Sequence, residues 1–152
     1  MNHIEEYILE PSNEFNNDIV LKINNGETII AYNSTIKKII NIAIDKLGNN
    51  ADLNFIDVSN VTNMNMLFYK SNFNGAISKW DVSSVKDMYG IFASSKFAND
   101  ISKWDVSKVE NMSYMFFNSK FNGDISNWDV SHAKYMYDRH YKNIQAFGAT
   151  TA

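Results

Sequence analysis

The sequence contains no cysteine, and this absence excludes several kinds of chemistry. Neither a disulfide framework nor a thiolate metal site can form, and no cysteine nucleophile is available. An excess of positive charge is also lacking, since 14 Lys and Arg are scattered along the chain against 17 Asp and Glu. Because phosphate backbones are bound by clustered basic residues, nucleic acid is not expected as a partner.

Long apolar runs are missing as well. No run approaches the roughly 18 residues that a membrane-spanning helix requires. Residues 1–6 have neither the basic nor the apolar region of a secretory signal. We therefore expect a cytoplasmic protein without a membrane partner, and a surface location only if a signal sequence precedes the chain. With 45% apolar and 20% charged residues, the composition is typical of one folded globular domain.

The most informative feature is an internal repeat with a period of 24 residues. Residues 77–83 recur unchanged as residues 101–107 and with one change as residues 125–131, and residues 53–59 are a more divergent first copy. Repeats of this length bury their apolar faces against their neighbours, so equivalent residues should stack in columns. The apolar columns are Val61, Val85, Val109 and Ala133; Met64, Met88, Met112 and Met136; Phe68, Phe92 and Phe116; and Phe73, Phe97 and Phe121.

Each repeat predicts a strand followed by a short helix. Residues 77–82 form a compact apolar run that is typical of a strand. Val85, Met88 and Phe92 are spaced as on one face of a helix. A serine stands before each expected helix as an N-cap, and Gly75 and Gly123 lie in return loops that suit a positive φ. The fold class predicted is an α/β repeat, a short solenoid of four 24-residue strand–helix turns. The expected N-caps are Ser59, Ser83, Ser107 and Ser131.

The N-terminal segment should cap this solenoid. Residues 18–23 and 27–32 predict a hairpin around an Asn-Gly turn. The apolar periodicity of residues 35–47, followed by Gly48, predicts a helix that covers the first turn. The chain is thus divided into a hairpin and capping helix (1–52), the solenoid (53–140) and a C-terminal cap or tail (141–152).

The repeat resembles a known family. Residues 121–130 and 104–116 follow the pattern F-N-G-D-I-S-x-W-D-V-S-x-V-x-x-M-x-x-M-F, which resembles the BspA-like surface-protein repeat, or DUF285, over residues 53 to about 138. The resemblance implies a leucine-rich-repeat-like solenoid and a binding function. Relatives of this kind occur in bacterial surface lipoproteins and adhesins, and also in phages and large viruses.

No residue pattern predicts catalysis. The three histidines and the recurring Ser and Asp residues form no triad or metal set, so no catalytic, cofactor-binding or metal residue is assigned and an enzyme is not expected. The aspartates of one column are expected to accept backbone amides, with calcium binding as the alternative. They are Asp57, Asp81, Asp105 and Asp129. The tryptophan column, Trp80, Trp104 and Trp128, and the methionine column are expected in the core rather than on a binding surface.

The function that remains is recognition of a protein partner by the solenoid surface. Residues that differ between equivalent turns can encode specific contacts. The candidates are Tyr69, Tyr89, Ser113, Phe117, His132 and Tyr137. One narrower hypothesis is an inhibitor of a host defence protein, encoded by a phage or mobile element. The alternatives are a truncated adhesin-type surface protein and a self-assembling structural element, and the partner and oligomeric state are left open.

Overall fold

The fold is that of a computed structural model, which describes residues 11–137. Over this range it contains helix α1 (Pro11–Asn24), strand β1 (Ile29–Ile30), helix α2 (Ile36–Leu47) and strand β2 (Ile56–Asp57). The two strands pair in parallel, with Ile29 opposite Ile56. Neither helix of the described range is long and apolar enough to cross a membrane.

The N-terminal hairpin predicted from the sequence is wrong. Residues 18–23 belong to α1, and β1 pairs with β2 of the first repeat instead of with a neighbouring strand. Asn25 and Gly26, predicted to form a hairpin turn, instead end helix α1. The Gly26 amide donates to the Ile23 carbonyl at 3.1 Å and the Glu27 amide to the Lys22 carbonyl at 3.0 Å. This pair of bonds is a Schellman motif, and Gly26 has the left-handed φ of 67° that the motif requires.

The predicted capping helix is confirmed as α2. Its buried residues recur at the expected spacing, and the Gly48 amide closes the helix on the Ile44 carbonyl at 2.7 Å. The buried face packs α2 against α1, in which Ile19 is buried, and against the first repeat. The buried residues of α2 are Ile36, Ile39, Ile40 and Ala43.

The expected solenoid of four strand–helix turns, leucine-rich-repeat-like in form, is also wrong. Both helices of the described range lie before residue 53. Within the described repeats β2 is the only strand, and the rest of these repeats consists of turns and isolated parallel bridges. A right-handed helix cannot run through residues with positive φ, which for L-residues costs roughly 1–2 kcal/mol each. Such residues occur twice in each of the first three repeats: Met66, Gly90 and Tyr114 in one column, and Lys70, Ser94 and Asn118 in another. The expected C-terminal cap at 141–152 lies outside the described residues.

Consecutive turns replace the expected helix because amides alternate between two kinds of partner. The amides of Leu67 and Tyr69 donate to carbonyls three residues back, at 3.2 and 3.1 Å. The amides of Met66 and Phe68 donate instead to the next repeat, both at 2.8 Å. Successive repeats therefore satisfy each other's backbone groups, which a helix would keep to itself.

The corners of each repeat are turns capped by side chains. Asp81 Oδ1 accepts the amide of Ser83 at 3.0 Å and its hydroxyl at 2.6 Å, and Ser95 Oγ accepts the Phe97 amide at 3.3 Å. The serines expected as helix N-caps are thus donors to aspartate, since no helix follows them. Gly75 and Gly123 do not have positive φ; at Gly75 a side chain would strike the backbone oxygen of Ala51.

The core consists of the predicted columns. Rings of equivalent phenylalanines are nearly parallel, with centroids 5.6 Å apart for Phe68 and Phe92 and 5.7 Å for Phe92 and Phe116. The tryptophans are buried, and each indole Nε1 donates to a carbonyl of the preceding repeat, as Trp104 does to Ile77 at 3.0 Å. Met64, Met88 and Met112 are buried as well. The expectation that the tryptophan and methionine columns form core is confirmed.

The described N-terminal elements α1, β1 and α2, which we call the cap, take the place of a preceding repeat. The carbonyl of Lys86 accepts two successive amides of the next repeat, and the carbonyl of Glu110 does the same. The first repeat has no predecessor, and there the side chain of Asn33 accepts the amides of Thr62 and Asn63 at 2.9 and 3.2 Å. Asn33 Nδ2 also donates to Thr62 Oγ1 at 2.8 Å. A single amide side chain thus adds three hydrogen bonds to the β1–β2 pairing and the core packing that join the cap to the repeats.

Candidate functional site

Aromatic side chains gather on the turn segments of the second, third and fourth repeats, and all of them are exposed except the half-buried Tyr89. Tyr114 makes edge-to-face contacts with Tyr89 and Phe117, with ring centroids 5.7 and 5.8 Å apart. Tyr135 and Tyr137 lie 6.4 Å apart, and the Tyr114 amide donates to the Tyr137 carbonyl at 2.8 Å. We call these five residues the aromatic surface. Contiguous exposed apolar patches can mark interaction sites, which makes this surface the candidate site.

The structure brings three of the six candidate residues together on this surface. They are Tyr89, Phe117 and Tyr137. Tyr69 is exposed on the first repeat, where the ammonium of Lys70 lies 5.2 Å from its ring centroid. His132 is exposed too, and its Nδ1 lies 3.5 Å from Ser131 Oγ. That candidates of this set bind a partner remains a prediction.

Ser113 differs from the other candidates because it is only 3% exposed. Its amide donates to Asn111 Oδ1 at 3.0 Å, and its hydroxyl oxygen accepts the Tyr137 amide at 3.2 Å. Ser113 is therefore placed to hold the backbone of Tyr137 rather than to reach a partner itself.

Tyr114 and Tyr135 belong to the surface but were not among the sequence candidates. Both positions vary between repeats, which is the signal that could have found them. Tyr114 is equivalent to Met66 and Gly90, and Tyr135 to Asn111. Tyr114 was missed because the sequence predicted a helix at this position. Its left-handed φ of 55° places it in a turn instead.

The aspartate column has the geometry of capped turns. Each of its four carboxylates accepts the amide of the serine two residues later, at 2.9 to 3.1 Å. The pKa of Asp105 is below its usual value, mainly because of the hydrogen bond from the Ser107 hydroxyl and secondly because of the one from the Ser107 amide. The negative charge of Asp129 opposes this shift. The expectation that these residues accept backbone amides is confirmed.

No group of three or more His, Cys, Asp or Glu side chains in residues 11–137 could hold a metal ion. What the described site offers chemically is a set of aromatic faces and edges, bordered by polar groups that include Asp87 and the Lys134–Glu110 ion pair. Such a surface can exclude water from a partner and orient it, and its rings are suited to contacts with apolar and cationic side chains.

Comparison with known proteins identifies the family of the chain but no function for the aromatic surface. Residues 34–151 match the family described as Mycoplasma protein of unknown function, DUF285. No curated protein and no solved structure matches the chain. The family match begins just before α2 and includes all four repeats, so it covers well over half of the sequence. The chain therefore belongs to the DUF285 family.

Proposed function

We propose that the protein binds another protein through the aromatic surface and acts by this binding rather than by catalysis. The observation that carries the proposal is a group of exposed rings on adjacent repeats, in which the exposed Tyr114 ring contacts the half-buried Tyr89 ring of the preceding repeat. Tyr137 is 64% exposed, and Tyr114 and Phe117 are 40% and 39% exposed. Tyrosine is enriched among the residues that dominate binding energy in protein interfaces.

The composition around the rings also favours a protein partner. The neighbouring columns carry Asn, Ser and Gly, which together with Tyr make up the typical composition of antibody paratopes. The core columns repeat the same residue, whereas these columns change from one repeat to the next. Variation on a fixed frame allows one partner to be distinguished from another.

The Tyr114 ring is already ordered in the unbound protein. Tyr114 is fixed by its contacts with two other rings and by the hydrogen bond from its amide to Tyr137. A binding surface that is already ordered loses less conformational entropy on association, so more of the contact energy appears as affinity.

The proposal is tested by capture from a lysate of the native host, followed by affinity measurement with the purified partner. The test variant carries Tyr114→Ala, Phe117→Ala and Tyr137→Ala. The matched control carries Tyr32→Ala, because Tyr32 is 51% exposed but lies in the cap. We expect the test variant to lose at least about 2 kcal/mol of binding energy, or roughly 30-fold in Kd, and the control to bind normally.

Equal affinity of the test variant and the wild type would contradict the proposal. A protein that captures nothing and has the mass of a large homo-oligomer in solution would replace it with self-assembly. The narrower hypothesis of an inhibitor adds one requirement, which is that the captured partner is an enzyme whose activity falls when the protein is added.

A further inference from the structure

A row of backbone carbonyls in the turn segments links each repeat to the one before it. In the second repeat, alternate carbonyls accept amides from the first repeat at 2.8 to 3.0 Å. In the third repeat the equivalent carbonyls accept amides from the second at 2.7 to 3.0 Å. The carbonyls of the second repeat are those of Asp87, Tyr89, Ile91 and Ala93, and their donors are Met64, Met66, Phe68 and Lys70.

The same row in the first repeat has no donor among the described residues. Its members lie 24 residues earlier, and within residues 11–137 neither a backbone nor a side-chain group donates to any of these four oxygens. Asn33 accepts the amides of Thr62 and Asn63 as a preceding repeat would, but residues 11–52 provide no amides for the carbonyls. We call these oxygens the acceptor row: the carbonyls of Asn63, Asn65, Leu67 and Tyr69.

A cleft lies where the preceding repeat would be. Its volume is about 260 Å³, and it separates the start of α2 from the first repeat. Ile36 and Lys37 line it from α2, and Asn63, Asn65 and Leu67, whose carbonyls belong to the acceptor row, line it from the first repeat. Tyr69, the fourth member, lies beyond the cleft and is exposed.

We propose that the acceptor row binds a polypeptide segment of a partner through backbone amides of alternate residues. The later repeats show that this kind of row is filled by amides two residues apart in sequence, and a polypeptide backbone offers donors at that spacing. Addition of a segment to an open backbone edge is a common mode of peptide recognition. The inference rests on the proposed function, because both require a protein partner, but it concerns different contacts.

The charges around the cleft agree with this occupant. Carbonyl oxygens are acceptors only, so an anionic ligand would be repelled by the row. Of the described residues that line the cleft, Lys37 alone is charged, and Asn33, Asn63 and Asn65 are the neutral polar ones. A segment that brings amides to the row could also place a carboxylate or a carbonyl near Lys37.

The probe for this inference is a synthetic peptide with the sequence of residues 61–72, the segment that fills the corresponding row of the second repeat. It is added to the full chain labelled with carbon-13, and the backbone carbonyl shifts are followed by NMR. We expect the carbonyls of the acceptor row to shift as they gain hydrogen bonds. The equivalent carbonyls of the second repeat, already paired, should stay unchanged.

Two controls distinguish backbone recognition from general adhesion of the peptide. A peptide that is N-methylated at the positions of Met64, Met66, Phe68 and Lys70 should shift none of the row. Asn65→Tyr should weaken peptide binding at least about tenfold by filling the cleft, whereas Asn65→Ser should not. The repeat accommodates both residues, since Tyr89 and Ser113 occupy the same column.

The inference is overturned if the peptide moves none of the four carbonyls at millimolar concentration, or if the N-methylated peptide moves them equally. Calcium chloride that alone produced the same shifts would assign the row to a cation instead. The variant with Tyr114, Phe117 and Tyr137 replaced by alanine should keep the peptide-induced shifts. Failure of the aromatic surface and failure of the acceptor row are therefore separate results.

Discussion

Asn33 offers the sharpest test of how the cap holds the repeats. Asn33→Leu removes an acceptor from two amides, those of Thr62 and Asn63, and a donor from Thr62 Oγ1. A hydrogen bond contributes about 0.5–1.5 kcal/mol net. Because this site is exposed and water can replace part of the loss, we expect a total cost of about 1–2 kcal/mol.

That cost should be measured by urea denaturation, and it corresponds to a fall in Tm of about 2–8 °C for a chain of this size. Asn33→Asp keeps the acceptor oxygen and should cost less than Asn33→Leu. Ser34→Ala, at the next exposed position, serves as the control and should be nearly neutral. If Asn33→Leu is as stable as Ser34→Ala, the cap does not depend on this side chain and the reasoning fails.

Three further predictions concern the repeats. Trp104→Phe should lower the free energy of unfolding by about 1–3 kcal/mol in urea denaturation, because the buried Ile77 carbonyl loses its donor; a neutral result would contradict this. Gly75→Ala should be more destabilising in the same assay than Gly123→Ala, since the new methyl group meets a backbone oxygen in one case and a phenylalanine ring in the other; equal losses would refute it. The pKa of Asp105 is lower in the folded than in the unfolded protein, so this carboxylate contributes fully to stability above pH 3.8. The contribution is lost as the pH falls below that value. Asp105→Asn should therefore show a smaller loss of stability on acidification than the wild type.

The repeat and its core could be predicted from the sequence because they depend on spacing alone. Equivalent apolar residues must stack if units of equal length pack together, whatever their backbone conformation. The phenylalanine, tryptophan and methionine columns were found in this way. The α2 helix was also predictable, since its apolar periodicity and its closing Gly48 point to the same element.

The local conformation could not be predicted because two structures satisfy the same spacing. Val85, Met88 and Phe92 would share one face of a helix, but successive turns of three residues bring them equally to one side. Side-chain acceptors at Asp81 and Asp87 favour turns by competing for backbone amides. At residues 18–23 the β-branched residues favour a strand, and packing of Ile19 in the core overrides that preference.

The aromatic surface was found in part for a related reason. Variation between repeats identified three of its members, but a position that varies can also turn inward, as Ser113 does. Whether a residue points outward depends on the turn geometry, which the sequence pattern left undetermined.

The contacts between successive repeats are alike, and this has a consequence for how the number of repeats can change in evolution. Each tryptophan indole reaches a carbonyl 27 residues earlier, and each described junction uses the same alternate amides and carbonyls. Loss or duplication of one whole repeat would therefore join chemically equivalent edges, whereas a shift of a single residue would bury unpaired groups. The number of repeats is free to vary in whole units, while the N-terminal cap, with its single Asn33, has to be kept.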